Sequence, residues 1–201
     1  MNKIIIASKN RGKVYEIKKI LSLSSVEIVD LHSMGFKGTI HETGSTFMEN
    51  ALIKARQVYQ KYSIPALADD SGLAVDRLGG QPGVYSARFA GPDATDEQNN
   101  NLLLSRLQGV PPENRKASFI CIAVFYFDEE KYAVEEGKVE GTITYAPRGK
   151  NGFGYDPLFY IPRYRRTLAE LTDNQKNQIS HRGKAFRKIK KRIQEYYSND
   201  E

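Results

Sequence analysis

Three clusters of side chains have the types and spacing to act on a phosphorylated ligand. The run Ser8, Lys9, Asn10, Arg11, Gly12, Lys13 lies between an apolar, β-branched stretch, Lys3 to Ala7, and a segment with Val14, Ile17, Ile20 and Leu21 at helical spacing. A strand, a polar loop and then a helix bring backbone N–H groups, a hydroxyl, an amide and an ammonium to the positive end of a helix, where an anion is favoured. The loop lacks GxxxxGK followed by Ser or Thr, so it is not a Walker A loop, and the same residues would also serve as an ordinary helix cap. A second cluster is acidic: Glu42, Glu49, Asp69 and Asp70 all fall near predicted element ends. Hard oxygen ligands of this kind suit Mg²⁺ held together with substrate phosphates. A cation between Asp69 and Asp70 would relieve their repulsion, although a solvated turn also tolerates two neighbouring aspartates. In the third cluster, Asn151 to Asp156, glycine-permitted turns alternate with Phe153 and Tyr155. That pattern suits a flat ligand such as a nucleobase, or equally two rings that plug the core.

The remaining reactive types say less. His181 and Arg182 follow a predicted N-cap, Ser180, and supply donors near a helix start. His32, His41 and His181 show no metal-ligand spacing, which argues against zinc. Cys121 falls in mid-strand and reads as a small core residue rather than a nucleophile; as the single cysteine it excludes an internal disulfide.

The elements that must position these clusters alternate between strand and helix, as in α/β proteins. Strands are expected at Lys3–Ala7 and Val26–Val29, and a helix follows Thr43 to Ser45 with Phe47, Ala51, Ala55, Val58 and Tyr62 on one face. Ala66–Ala68 and Leu73–Val75 read as two short strands flanking a tight turn at Asp69 to Gly72. Thr95 with Gln98 forms a capping box ahead of Leu102, Leu103 and Leu107. Ala117–Phe127 and Tyr132–Ile143 are expected as a long antiparallel hairpin, and Pro147 to Gly154 as a loop. A strand at Leu158–Ile161, a short helix capped by Thr172 and Gln175, and a terminal helix opened by Ser180 complete the pattern.

At 201 residues, 40% hydrophobic and 27% charged, the chain can bury roughly 70% of its unfolded surface, enough for one good core or two small lobes. Its longest apolar run, Phe119 to Phe127, is far short of the ~20 residues a membrane span needs. Without an export signal or a disulfide, the expected compartment is the cytoplasm. Residues 1–162 balance their charges, so the whole net charge of +6 comes from residues 163–201. A basic end of this kind suggests an anionic partner. The spacing of Phe186, Ile189, Ile193 and Tyr197, however, reads as the buried stripe of a terminal helix whose solvated face carries Arg187, Lys188, Lys190, Lys191 and Arg192.

In order along the chain, these features resemble the inosine- and xanthosine-triphosphate pyrophosphatase family. The resemblance is carried by IIIASKNRGKVYEI, HETGSTFMENALIKA, ALADDSGLAVDRLGGQPGVYSARFAG, GFGYDPLFY and KNQISHRGKA, and covers nearly the whole chain. It implies an α/β fold with a mixed, elongated central sheet and two lobes flanking an active-site cleft, in a single domain over residues 1–201. It also implies a homodimer, dependence on Mg²⁺, and hydrolysis of ITP, dITP and XTP at the α-phosphorus to nucleoside monophosphate and pyrophosphate. Matched by position, Ser8, Asn10, Gly12 and Lys13 go to the triphosphate, with backbone help from Lys9 and Arg11. Glu42 is the metal-binding acid; Asp70 is proton acceptor and metal contact, with Asp69 beside it and Ser71 touching substrate. Phe153, Gly154, Tyr155 and Asp156 take the base, Lys176 reaches the nucleotide, and His181 and Arg182 sit at the base, as donors to a purine 6-oxygen. His41 stands where some relatives carry another acid, which leaves the number of metal ions open.

Two other readings compete. Related pyrophosphatases of modified pyrimidine or methylated nucleotides open with SxSxRR, where this chain has SKNRGK. A nucleic-acid-binding module would use the basic C-terminal segment, but no nucleic-acid motif is present and the Asp69–Asp70 pair has no role in it.

Overall fold

The computed structural model describes residues 2–198. Its described residues form seven strands and five α-helices: β1 (Asn2–Ile6), α1 (Arg11–Leu21), β2 (Val26–Asp30), α2 (Phe47–Tyr62), β3 (Ala66–Val75), α3 (Asp96–Arg106), β4 (Lys116–Asp128), β5 (Lys131–Ile143), β6 (Phe159–Ile161), β7 (Arg166–Thr167), α4 (Asp173–Ile179) and α5 (His181–Ser198). Short 3-10 turns, among them Gly83–Arg88, fill the connections. The strands form one mixed sheet in the order β2-β1-β3-β4-β5-β6-β7. β1 runs parallel to β2 and β3, whereas β6 is antiparallel to β5 and β7. The α/β mixed sheet expected from the sequence is present.

The chain divides into two compact units. The first comprises residues 1–70, 121–137 and 182–201, and the second residues 71–120 and 138–181. In the first, side-chain alternation along β1 sends Ile4 and Ile6 to one face, where they pack with Leu67, Cys121 and Phe125, with Ile17 and Leu21 of α1 and with Phe186, Ile189 and Ile193 of α5. Ile5 and Ala7 point to the other face, against Ala66, Ala68 and Val124 and the Ala51, Ala55 and Val58 stripe of α2. Burial of both faces explains why β1 reads as a continuous apolar run rather than an alternating one. The outer side of α5 carries exposed Arg187, Lys188, Lys191 and Arg192, as the stripe reading of the basic segment expects. Arg192 is paired with Glu135, and Lys188 donates to the Glu136 carbonyl. In the second unit, Leu103 of α3 and Leu107, which caps its C-terminal end, pack with Leu73, Phe119, Ile143 and Phe159.

Thr46 with Glu49, Thr95 with Gln98 and Thr172 with Gln175 form capping boxes at the starts of α2, α3 and α4, so the ends of these helices are written locally. β3 differs from expectation. Instead of two short strands around an exposed turn, it runs unbroken from Ala66 to Val75 with both aspartates buried in it. Polarity suggested the turn. The strand survives because each carboxylate finds a buried cation, Arg182 for Asp69 and Lys54 for Asp70, and because β3 lies inside the sheet between β1 and β4.

Candidate active site

The Ser8–Lys13 loop closes on itself before α1. Asn10 is the N-cap and its Oδ1 accepts the Lys13 N–H at 3.0 Å, while the Ser8 hydroxyl accepts the Asn10 N–H at 3.2 Å. The Lys9 ammonium donates to the Gly38 carbonyl and faces the Phe36 ring, so its side chain is committed to the segment after β2. Lys13 turns inward, with its Nζ 3.3 Å from Asp69 Oδ2.

Successive residues of a strand point to opposite faces, which separates the two aspartates. Asp69 follows Leu67 onto the face of α1 and α5. There its Oδ2 meets the Arg182 guanidinium (Nη2 at 3.2 Å), whose Nη1 in turn bonds Glu16 Oε2 at 2.6 Å. Burial alone would lower the Arg182 pKa, but Asp69 and Glu16 reverse this and raise it, so the group stays charged. Beside it the Cys121 thiol is buried and its pKa is pushed up, consistent with an inert core residue.

Asp70 follows Ala66 and Ala68 onto the α2 face. Its Oδ1 bonds the Lys54 ammonium at 2.7 Å, and the same ammonium lies 3.3 Å from Glu42 Oε1. Burial raises the Asp70 pKa, partly offset by Lys54 and Lys13. For Lys54 burial acts downward, but Asp70, Asp69 and Glu42 outweigh it and the pKa is raised. The segment carrying Glu42 is pinned to α2: the Gly44 N–H donates to Asn50 Oδ1 at 2.8 Å. Ser45 and Thr46 both donate their N–H to Glu49 Oε2, so Glu49 is a capping residue, its pKa lowered by Ser45 and Thr46.

In the second unit, the Asp156 carboxylate accepts the Phe153 N–H at 2.9 Å and the Lys176 ammonium, which lies 4.8 Å from the Phe153 ring centre. Tyr155 is buried and its hydroxyl donates to the Ser86 carbonyl. Of the two rings proposed for stacking, Tyr155 is therefore a core plug and Phe153, half-buried, remains. His181 is 4% exposed, with its ring stacked on Phe119 at 4.6 Å between centroids.

The description "Ham1 family" belongs to a family model that matches residues 4–192. The chain belongs to the Ham1 family. The dITP/XTP pyrophosphatase of Thermoanaerobacter pseudethanolicus is 52% identical over 191 residues, 95% of this chain and 96% of that protein. The solved structure of a HAM1 protein from Coxiella burnetii aligns with a TM-score of 0.88 at 42% identity, over 97% of this chain and 100% of that one. The Staphylococcus aureus Ham1 protein aligns with a TM-score of 0.86 at 37% identity, over 97% and 100% respectively.

Among the described residues of this Ham1 chain, no group of three or more His, Cys, Asp or Glu side chains is placed to hold a metal ion. The expected trio of Glu42, Asp69 and Asp70 is not assembled, because alternation along β3 turns Asp69 away. Glu42 and Asp70 do converge on one cation, the Lys54 ammonium. One or two carboxylates completed by substrate phosphates is the usual way Mg²⁺ is held, so this pair fits the ion and a closed protein cage is not needed. Sequence reasoning passed over Lys54 and Glu16. The available signal was their placement: Lys54 interrupts the Ala51, Ala55, Val58 stripe of α2, and Glu16 adjoins Ile17 on the buried side of α1. A charge at a stripe position calls for a buried partner.

Proposed function

We propose that the protein hydrolyses deaminated purine nucleoside triphosphates, ITP, dITP and XTP, at the α-phosphorus, releasing pyrophosphate, and that it does so in the cytoplasm as a homodimer. The observation that carries this reading is the Asp70–Lys54–Glu42 cluster, in the same unit as a helix-capping loop of the SxNxGK type. The relative from Thermoanaerobacter pseudethanolicus, named as a dITP/XTP pyrophosphatase, supports the reaction class.

Within the first unit, Ser8, Asn10, Gly12 and Lys13, with the amides of Lys9 and Arg11, would bind the triphosphate at the positive end of α1. Lys13 would stabilise charge on the departing pyrophosphate. Asp70, its pKa raised by burial, would take the proton of the attacking water. Glu42 and Asp70 would hold the Mg²⁺ ion that, when bound, offsets charge on the phosphate oxygens. Lys54 keeps the two carboxylates together. Asp69, held by Lys13 and Arg182, would orient Lys13 rather than coordinate the ion.

Within the second unit, Ser71 would touch substrate, the Phe153 ring would stack on the base, and Gly154, Tyr155, Asp156 and Lys176 would shape that loop. His181 is assigned as donor to the purine 6-oxygen. Adenine presents an amino donor there, so it would leave a donor unpaired and be rejected. Arg182, read from sequence as a second donor, is assigned instead to holding Asp69.

The test is pyrophosphate release from inosine, xanthosine, guanosine and adenosine triphosphates at equal concentration with Mg²⁺. Fast release from the first two, little from the others and none with chelator is the expected result. Equal release from all four would discard the base assignment, and no release from any would discard the hydrolase.

A further inference from the structure

Phe153 is flanked by two glycines at positive φ, Gly152 at +77° and Gly154 at +61°. Such residues are the freest hinges a backbone has, so the direction of a ring held between them depends on what locks each glycine. The Gly152 side has its lock close by in sequence: Asp156, three residues after Phe153, accepts the Phe153 N–H and the Lys176 ammonium. The Gly154 side is locked from a distance. Asp96 Oδ2 accepts the Gly154 N–H at 2.6 Å, and Asn100 Nδ2 donates to the Gly154 carbonyl at 3.0 Å.

These two partners lie 58 and 54 residues away in sequence. They are spaced i, i+4 on α3 and so share one face of that helix. Both peptide groups of one glycine are therefore gripped by one rigid surface, and one grip is charge-assisted. α3 is itself fixed. Its N-terminus is capped by Thr95, and Asn99 accepts the Ala90 N–H at 2.8 Å and donates to the Ala87 carbonyl at 3.3 Å. An acid at Asp96 also suits the first turn of a helix.

We infer that Asp96 and Asn100 are positioning residues which lock the Gly154 hinge and so aim Phe153 at the base. They touch no reacting atom. They set how tightly, and how selectively, the purine is held. The inference rests on the reading that the Phe153–Asp156 loop takes the base.

The test compares Asp96→Ala, Asp96→Asn and Asn100→Ala with the parent in full-length protein. Steady-state hydrolysis of inosine and adenosine triphosphates is one readout. For Asp96→Ala the KM for inosine triphosphate should rise about tenfold with kcat within about twofold, the scale expected for losing one charge-assisted hydrogen bond. The preference over adenosine triphosphate should narrow. Asp96→Asn retains an acceptor and should recover most of the KM, and Asn100→Ala should move in the same direction as Asp96→Ala by a smaller factor. An unchanged KM, or a fall in kcat alone, overturns the inference. A parent enzyme with no preference among bases would instead overturn the base assignment itself.

The second readout needs no turnover. The chain has no tryptophan, so Phe153→Trp introduces a single reporter at the ring in question. In that background, adding Asp96→Ala should lower the steady-state fluorescence anisotropy of the nucleotide-free protein at equal far-ultraviolet dichroism. Equal anisotropy with and without Asp96 would show that the hinge is locked by other means and would overturn the inference.

Discussion

Replacing Glu16 by alanine should destabilise the protein through a group that lies outside the proposed chemistry. The Glu16 side chain is 9% exposed and the Arg182 side chain 2%, and they are joined at 2.6 Å. Removing one partner of a buried ion pair costs about 3–5 kcal/mol, because the other charge is left uncompensated. Here Asp69 stays in contact with the guanidinium, so the lower end, about 3 kcal/mol, is expected. For a chain of this size each kcal/mol is worth about 2–4 °C, giving a fall in Tm of roughly 6–12 °C. Thermal unfolding of the nucleotide-free protein at pH 7, followed by circular dichroism, measures it. Arg182→Met removes the cation that Glu16 and Asp69 share, leaving Asp69 in contact with Lys13, and should also destabilise. The double variant should lose less than the sum of the singles by more than ~0.5 kcal/mol, as residues in direct contact do. A Glu16→Ala variant within about 2 °C of the parent, or strict additivity in the double variant, would refute the picture of Arg182 as the strut that holds Asp69.

Asp70→Asn keeps shape but removes charge, and turnover with saturating Mg²⁺ and inosine triphosphate should fall at least ~10²-fold; wild-type-like turnover would remove Asp70 from the chemistry. Gly152→Ala places a Cβ against the Asp156 carboxylate at a φ of +77°, so the Asp156–Lys176 lock must shift; KM for inosine triphosphate should rise about tenfold, and an unaltered KM would detach this lock from base binding. The Asp30 pKa is lowered from 3.8 to about 2, first by the hydrogen bond from Lys18 and then by that from Ser33. A folded-state pKa below the unfolded one gives stability that is present above pH ~4 and lost as pH falls through ~2. Asp30→Asn should therefore cost about 1–2 kcal/mol at pH 7, and urea unfolding should find that gap roughly halved near pH 3. A gap independent of pH would show that Asp30 contributes packing rather than charge.

Where side-chain pattern fixes local structure, the sequence was legible. The capping boxes read at Thr95 and Thr172 and the polar loops before Val14 and Phe47 were each followed by a helix, and the two long strands β4 and β5 meet at a two-residue hairpin in which Glu130 adopts φ +59°. The loops of the site were legible for the same reason, since glycine and small polar residues mark where the backbone turns. The partners of buried charges were not. Arg182 and Glu16 are 166 residues apart, and Lys54 reaches Asp70 across 16. Such pairings are decided by which elements pack together, and no local spacing encodes them. Asp69 and Asp70 were misread as an exposed turn because polarity in a short stretch ordinarily means solvent, and the compensating cations lie elsewhere in the chain. Tyr155 failed in the opposite sense: its neighbours looked like a ligand loop, while its own ring belongs to the core.

The unbroken course of β3 through Asp69 and Asp70 gives the two identical side chains their separate tasks by parity alone. One is even and one is odd along the strand, and only that decides whether a carboxylate meets Lys54 or Arg182. Inserting a single residue between Ala66 and Asp69 would bring Asp69 to the place that faces Lys54 and carry Asp70 one position past it, while deleting one would bring Asp70 to the place that faces Arg182 and leave Asp69 one position short of it, so either change breaks one of the two pairings. The length of this stretch should therefore be guarded more strictly than the identity of its apolar members, which a neighbouring aliphatic could replace.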